Sequence, residues 1–174
     1  MQRKTILVGA LAISVITGCV SGHQARATLT GTDSAPKLSG TVTFTKIENG
    51  VRAVIKVANA PPGSHAIHIH EHGQCGDMGK AAGGHFNPAG VKHGFLPKDG
   101  PAEAHAGDMG NIAVDESGHG SLTLELPGLT LDQGPEGIAG RSVILHEKQD
   151  DFGQPTGNAG GRIGCGVISV TDKF

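Results

Sequence analysis

The sequence predicts an all-β domain, an antiparallel sandwich or barrel of seven or eight short strands with two long functional loops, and three observations carry that reading. Gly supplies 29 and Pro 9 of the 174 residues, a load of helix breakers that excludes a helical bundle or coiled coil. Hydrophobic residues still make up 37 %, too many for a disordered Gly/Pro chain. They also fall in short runs of alternating or β-branched residues instead of at helical spacing.

At the start of the chain, Arg3 and Lys4 precede an apolar run, residues 5–17, with the length of a secretory h-region. Ile16-Thr17-Gly18-Cys19 then resembles a bacterial lipobox, in which small residues fit the peptidase cleft and the Cys thiol takes a diacylglyceryl group. Residues 1–18 are therefore expected to be a lipoprotein signal peptide, with Cys19 as the lipid attachment and a membrane as the partner. The alternative is an ordinary signal peptide cleaved after Ala25 or Ala27, with Cys19 discarded. Residues 19–37, small and polar without hydrophobic periodicity, read as a flexible tether that carries His23, and 38–174 as the folded domain. Cleavage before Cys19 removes two of the 14 basic residues and none of the 16 acidic ones, so no surface basic enough for nucleic acid remains.

The strands follow in order. Residues 38–47 alternate small or polar residues with Val, Phe and Ile, and 51–60 continue after Asn49-Gly50, a pair suited to a tight hairpin turn. Further runs cover 65–70, 111–114, 121–126, 141–146 and 162–170, with a second hairpin turn at Asp115–Gly120. Two Gly-rich loops, 73–110 and 147–161, separate some of them. A loop as long as the first is uncommon in a compact domain and points to function.

Ten histidines stand out in so short a chain. His68-Ile69-His70 on a strand puts two imidazoles on one face while Ile69 packs on the other. The long loop then supplies His85, His93, His105 and Asp108 at gaps of 8, 12 and 3. Three imidazoles and a carboxylate suit tetrahedral zinc, which would organise a loop that has little core of its own. His146 ends the run Ser142–Leu145 where a buried strand gives way to the second loop. With Cys19 set aside for lipid, Cys75 and Cys165 are left to pair in an oxidising compartment or to remain two buried thiols.

Five segments, HIHEHGQC, GGHFNPAGVKHG, HAGDMGN, VILHEKQDDFG and GNAGGRIGCGVI, resemble in order and spacing those of the copper/zinc superoxide dismutase family. The resemblance runs from about Leu38 to Val170 and implies a Greek-key β-barrel of about eight strands. It assigns copper to His68, His70, His85 and His146, and zinc to His85, His93, His105 and Asp108, with His85 the shared bridge. The implied reaction converts superoxide, the substrate, to oxygen and hydrogen peroxide by cycling copper between two oxidation states, with His85 taking up and donating a proton. Arg162 matches the active-site arginine that docks the anion, Asp150 a carboxylate that holds the counterparts of His68 and His93, and His65 a buried support. His72 and His119 match no ligand. Cys75 follows His70 by five residues, as in the bacterial periplasmic branch, and the stretch 153–162 is shorter than the eukaryotic loop. That branch difference leaves a homodimer open. The reading overall is an exported, lipid-anchored enzyme of the cell envelope or periplasm; the alternative is a non-enzymatic copper- and zinc-binding protein of the same fold.

Overall fold

In a computed structural model that describes residues 24–171, eight strands close into an antiparallel barrel. They are β1 (Gln24–Gly31), β2 (Ser39–Ile47), β3 (Gly50–Ala58), β4 (Gly63–His70), β5 (Asp108–Val114), β6 (Gly120–Pro127), β7 (Ser142–His146) and β8 (Arg162–Thr171). Around the barrel the order is β1-β2-β3-β6-β5-β4-β7-β8, so the β3–β4 and β6–β7 connections cross over, as a Greek key requires. The four-residue α1 (Leu96–Asp99) and a single 3₁₀ turn, Lys80–Ala82, are the helical pieces among the described residues.

Alternation decides which side chains fill the barrel. Val42 and Phe44 of β2, Val51, Ala53 and Ile55 of β3, and Ile67 and Ile69 of β4 all face one core. β4 and β7 differ from β2 and β3 because their outer faces are covered as well. From His65 to His70 and from Ser142 to His146 every residue is buried. On that outer side Ile144, Ala82 and Cys165 form a small second cluster beneath the first long loop. A disulfide between Cys75 and Cys165, Cα atoms 5.7 Å apart, ties the loop to β8 there.

Two expectations need correction. Residues 24–31, read as part of a tether, are strand β1, paired with β2 on one side and β8 on the other. Ala25, Ala27 and Leu29 point into the core and Arg26, Thr28 and Thr30 point out, a period of two hidden by the weak hydrophobicity of Ala. The barrel therefore includes Gln24–Gly31 and does not begin at Leu38. The first hairpin also forms one residue earlier than expected. Ile47 pairs with Gly50, so Glu48 and Asn49 make the turn and only Gly50 takes a positive φ, +152°. A Cβ there would run into the carbonyl of Leu126, which leaves room for Gly alone. The expected signal peptide, Cys19 and His23 lie outside the described residues.

Candidate metal centre

β4 presents His68 and His70 on its outer face, and β7 ends in His146, which sits opposite Arg162 at the start of β8. Register shifts at Ala66/His68 and at Leu145/His146 re-aim these side chains just where the histidines leave the barrel wall. The first long loop folds back along β4. Phe86 N–H donates to the carbonyl of Ile69 and Gly107 N–H to that of Phe86, while Ile69 N–H donates to Gly107. This stitching sets His85 beside His70 as an isolated antiparallel bridge. Gly107 has to be Gly, because a Cβ would strike the Ile69 carbonyl. β5 opens on Asp108, three residues earlier than the run expected from the sequence.

Two sets of donors converge. In each of His68/His70/His85/His146 and His85/His93/His105/Asp108, the ligand atoms lie within 4.8 Å of one another and every residue is buried. His85 belongs to both. Its Nδ1 is 2.9 Å from Asp108 Oδ1 and 3.4 Å from His105 Nδ1, so Nε2 lies on the edge turned to the other set. The fit to metal is tested by hydrogen bonding. His68 Nδ1, His93 Nδ1 and His146 Nδ1 are buried with no hydrogen-bond partner, a cost that coordination removes. His93 Nδ1 is 2.9 Å from Asp108 Oδ2 without hydrogen-bond alignment, as expected of two ligands aimed at one ion.

The other ring nitrogens are held by protein groups, which fixes the imidazoles. Asp150 accepts from His68 Nε2 at 2.8 Å and from His93 Nε2 at 2.9 Å, so it joins the two sets as a hydrogen-bonding carboxylate. His70 Nδ1 donates to the carbonyl of Gly83 at 3.0 Å. That carbonyl also accepts from Arg162 Nη2 at 2.7 Å, and Gly79 accepts from Nη1 at 2.7 Å. Arg162, His70, His85 and His146 line an open cleft of about 310 Å³ together with Thr156 and Asn158. His65 lies beneath, its ring nitrogens 2.9 and 2.8 Å from the carbonyls of His146 and Pro61. His72 and His119 are exposed.

The electrostatics separate the sets. Burial, then the neighbouring His85, pushes His70 down to about 2. Burial also takes His68 to about 4, against the pull of Asp150. His146 falls well below its ordinary value through burial and the nearby His68, His70 and His85. On the other side, burial would lower His93, but the carboxylates of Asp108 and Asp150 raise it to about 9. Burial would likewise raise Asp108, but His105, His85 and His93 hold it far below the carboxylate range. Three imidazoles and a carboxylate suit zinc, and four imidazoles without a carboxylate suit copper.

Three residues of the site had not been anticipated. Asn111 of β5 exchanges two hydrogen bonds with the backbone of Asp150, at 2.7 and 3.0 Å. Gln154 clasps the backbone of His93, and Gly157 lies so close to Asp150 and His93 that a Cβ would strike both. A polar Asn inside an apolar strand run was the one signal that could have found any of them.

A closed antiparallel barrel carrying two buried ligand sets that share one imidazole defines a dinuclear metal-site protein. The chain belongs to the copper/zinc superoxide dismutase family: the family's model matches residues 38–168, and both donor sets fit copper and zinc. Among solved structures it is similar to one described as the clock protein EA4, at 37 % identity and a TM-score of 0.73, over 88 % of this chain and 98 % of that one.

Proposed function

We propose that the protein is a superoxide dismutase, exported and anchored to a membrane of the cell envelope through lipidated Cys19. The observation that carries the catalytic part is Arg162 beside the mouth of a cleft whose floor is His70, His85 and His146. Copper bound by His68, His70, His85 and His146 would supply the one-electron redox chemistry that takes superoxide alternately to oxygen and to hydrogen peroxide, with zinc held by His85, His93, His105 and Asp108. Arg162 keeps a permanent positive charge there. Two of its N–H groups are spent on Gly79 and Gly83, and the others remain for a small anion. His85 Nε2, on the copper-facing edge of the ring, can hold a proton and give it to the reduced oxygen species, while Asp108 steadies the ring from Nδ1. Asp150 keeps His68 and His93 in the tautomer that leaves Nδ1 of each free.

The export part draws support from β1. Cleavage after Ala25 or Ala27 would cut a strand hydrogen-bonded on both sides, whereas cleavage before Cys19 leaves it whole. The non-enzymatic reading also draws on an observation, because a protein 37 % identical is described as a clock protein. Metal analysis of the mature chain, with superoxide consumption followed before and after copper removal, decides between the two. Activity that disappears with copper and returns on reloading is expected, and an inactive copper-loaded protein would leave only metal binding. Cys19→Ser is expected to free the protein from membranes, and unchanged association would rule out the anchor.

A further inference from the structure

His93 is tethered differently from the rest of the zinc set. His85 is fixed by its bridge to His70, and His105 and Asp108 by a tight turn in which Asp108 N–H donates to the carbonyl of His105. His93 lies in irregular chain between β4 and β5. Among the described residues its peptide groups have no backbone partner. Instead, one side chain from the other long loop takes both: His93 N–H donates to Gln154 Oε1 at 3.1 Å, and Gln154 Nε2 donates to the carbonyl of His93 at 2.8 Å.

The loop that carries Gln154 is itself braced. Gly157 N–H donates to Gly153 at 2.7 Å, Asp151 N–H to Gly157 at 3.0 Å, and the Asn158 amide to the Asp151 carboxylate at 3.0 Å. Phe152 lies across the His93 ring, centroids 6.4 Å apart and planes 21° from parallel, although it is itself 44 % exposed. A braced loop thus covers His93 from outside, and its one grip on the His93 backbone is a primary amide, the side-chain group that can give and accept at once.

We infer that Gln154 is a positioning residue for zinc: by clasping the His93 peptide it keeps that ligand on the ion and sets how long zinc stays bound. The inference rests on the assignment of His85, His93, His105 and Asp108 to zinc. Zinc can leave only after its ligands let go, and His93 is the ligand whose backbone is held by a single side chain. Without the amide, His93 swings away more often, and release quickens. The copper set does not depend on this contact, because His68, His70 and His146 stand on strands β4 and β7 and His85 is held by its bridge to His70.

The experiment uses the full mature chain loaded with both metals, in parent, Gln154→Ala, Gln154→Asn and Gln154→Glu forms. Zinc transfer to an excess of chromogenic chelator and copper release are timed in parallel. Gln154 is exposed, so its replacement leaves no core cavity, and circular dichroism checks the fold. Loss of two net hydrogen bonds predicts zinc release faster by about tenfold or more for Gln154→Ala. Gln154→Asn, one methylene too short, behaves the same way. Gln154→Glu keeps the acceptor for His93 N–H and loses the donor, so it falls between. Copper release stays within about twofold of the parent throughout. Unchanged zinc release in all three variants overturns the inference, as does equal acceleration of both metals. A parent chain that takes up no zinc overturns the ligand assignment itself, a failure that the starting metal content separates from the others.

Discussion

His68, His70 and His146 meet one edge of His85 with imidazole alone, whereas at the other edge His93 and His105 gather around the buried carboxylate of Asp108. Burial acts on both groups; in the first, Asp150 supports His68 alone and does not overcome it, whereas the second is gathered around the carboxylate of Asp108. The histidines of the first set are accordingly held neutral, and His93 of the second is held protonated far above its usual range when no metal competes for it. One side is a neutral donor cage that opens on a cleft, the other an anion-centred cage closed by loops. A redox ion that must meet substrate suits the first, and an ion that only holds structure suits the second.

The sharpest way to break the comparison is to remove a donor that belongs to one side only. His146→Ala is expected to abolish superoxide consumption and copper binding while leaving zinc near the parent level. Metal analysis of the purified variant, read beside its activity, checks both. Zinc lost in parallel with copper would mean that the two sides are a single unit.

The difference between the two sides also explains what could be read from the sequence. Metal donors are chemically distinctive, so His68, His70, His85, His93, His105, Asp108 and His146 stood out, and their order along the chain carried the family resemblance. The strands with Val, Ile and Phe on their inner face were legible for the same reason: strong hydrophobes alternate visibly. β1 was not, because Ala25 and Ala27 do the packing there and Ala gives no hydrophobic contrast with Thr and Gln. Asn111, Gln154 and Gly157 escaped because their roles depend on hydrogen bonds to, or close approach to, backbone and side chains many residues away, and no local pattern records such a contact.

The next largest effect is the pH dependence of stability in the metal-free protein. His68 and His70 titrate at about 4 and about 2 when folded, below the 6.5 of the unfolded chain. Below about pH 6.5 the unfolded state therefore binds more protons, and stability falls as pH drops. Through His68 alone this amounts to about 3 kcal/mol. His93 titrates at about 9 when folded, so its contribution is complete below pH 6.5 and is lost as pH rises to 9. Urea unfolding of the metal-free chain should thus give maximal stability near pH 6.5, with an acid arm that opens on the copper side and an alkaline arm on the zinc side; only below about pH 4 do the depressed carboxylates of Asp108 and Asp150 add to the acid loss. His70→Gln is expected to flatten the first arm and His93→Gln the second. If either substitution flattened both arms, the sides would not be electrostatically distinct.

Arg162 tests the comparison most gently, because it adds charge to one side without touching a metal. It lines the cleft with His70, His85 and His146, whereas His93, His105 and Asp108 take no part in that lining. Described charges elsewhere give little help, since the chain carries a net charge of −2 and an anion must be drawn in locally. Arg162→Lys keeps the charge but cannot reproduce the forked hold on Gly79 and Gly83, so the cation is left less fixed at the mouth. The expected outcome is a fall in activity of about tenfold, the scale of one charge-assisted hydrogen bond, with weaker inhibition by small anions. Copper and zinc contents should both stay near those of the parent. Rate constants measured across a range of ionic strengths check it: a variant that kept full activity and full anion sensitivity would show that the copper side binds its anion without Arg162, and the asymmetry would then lie in the ligands alone.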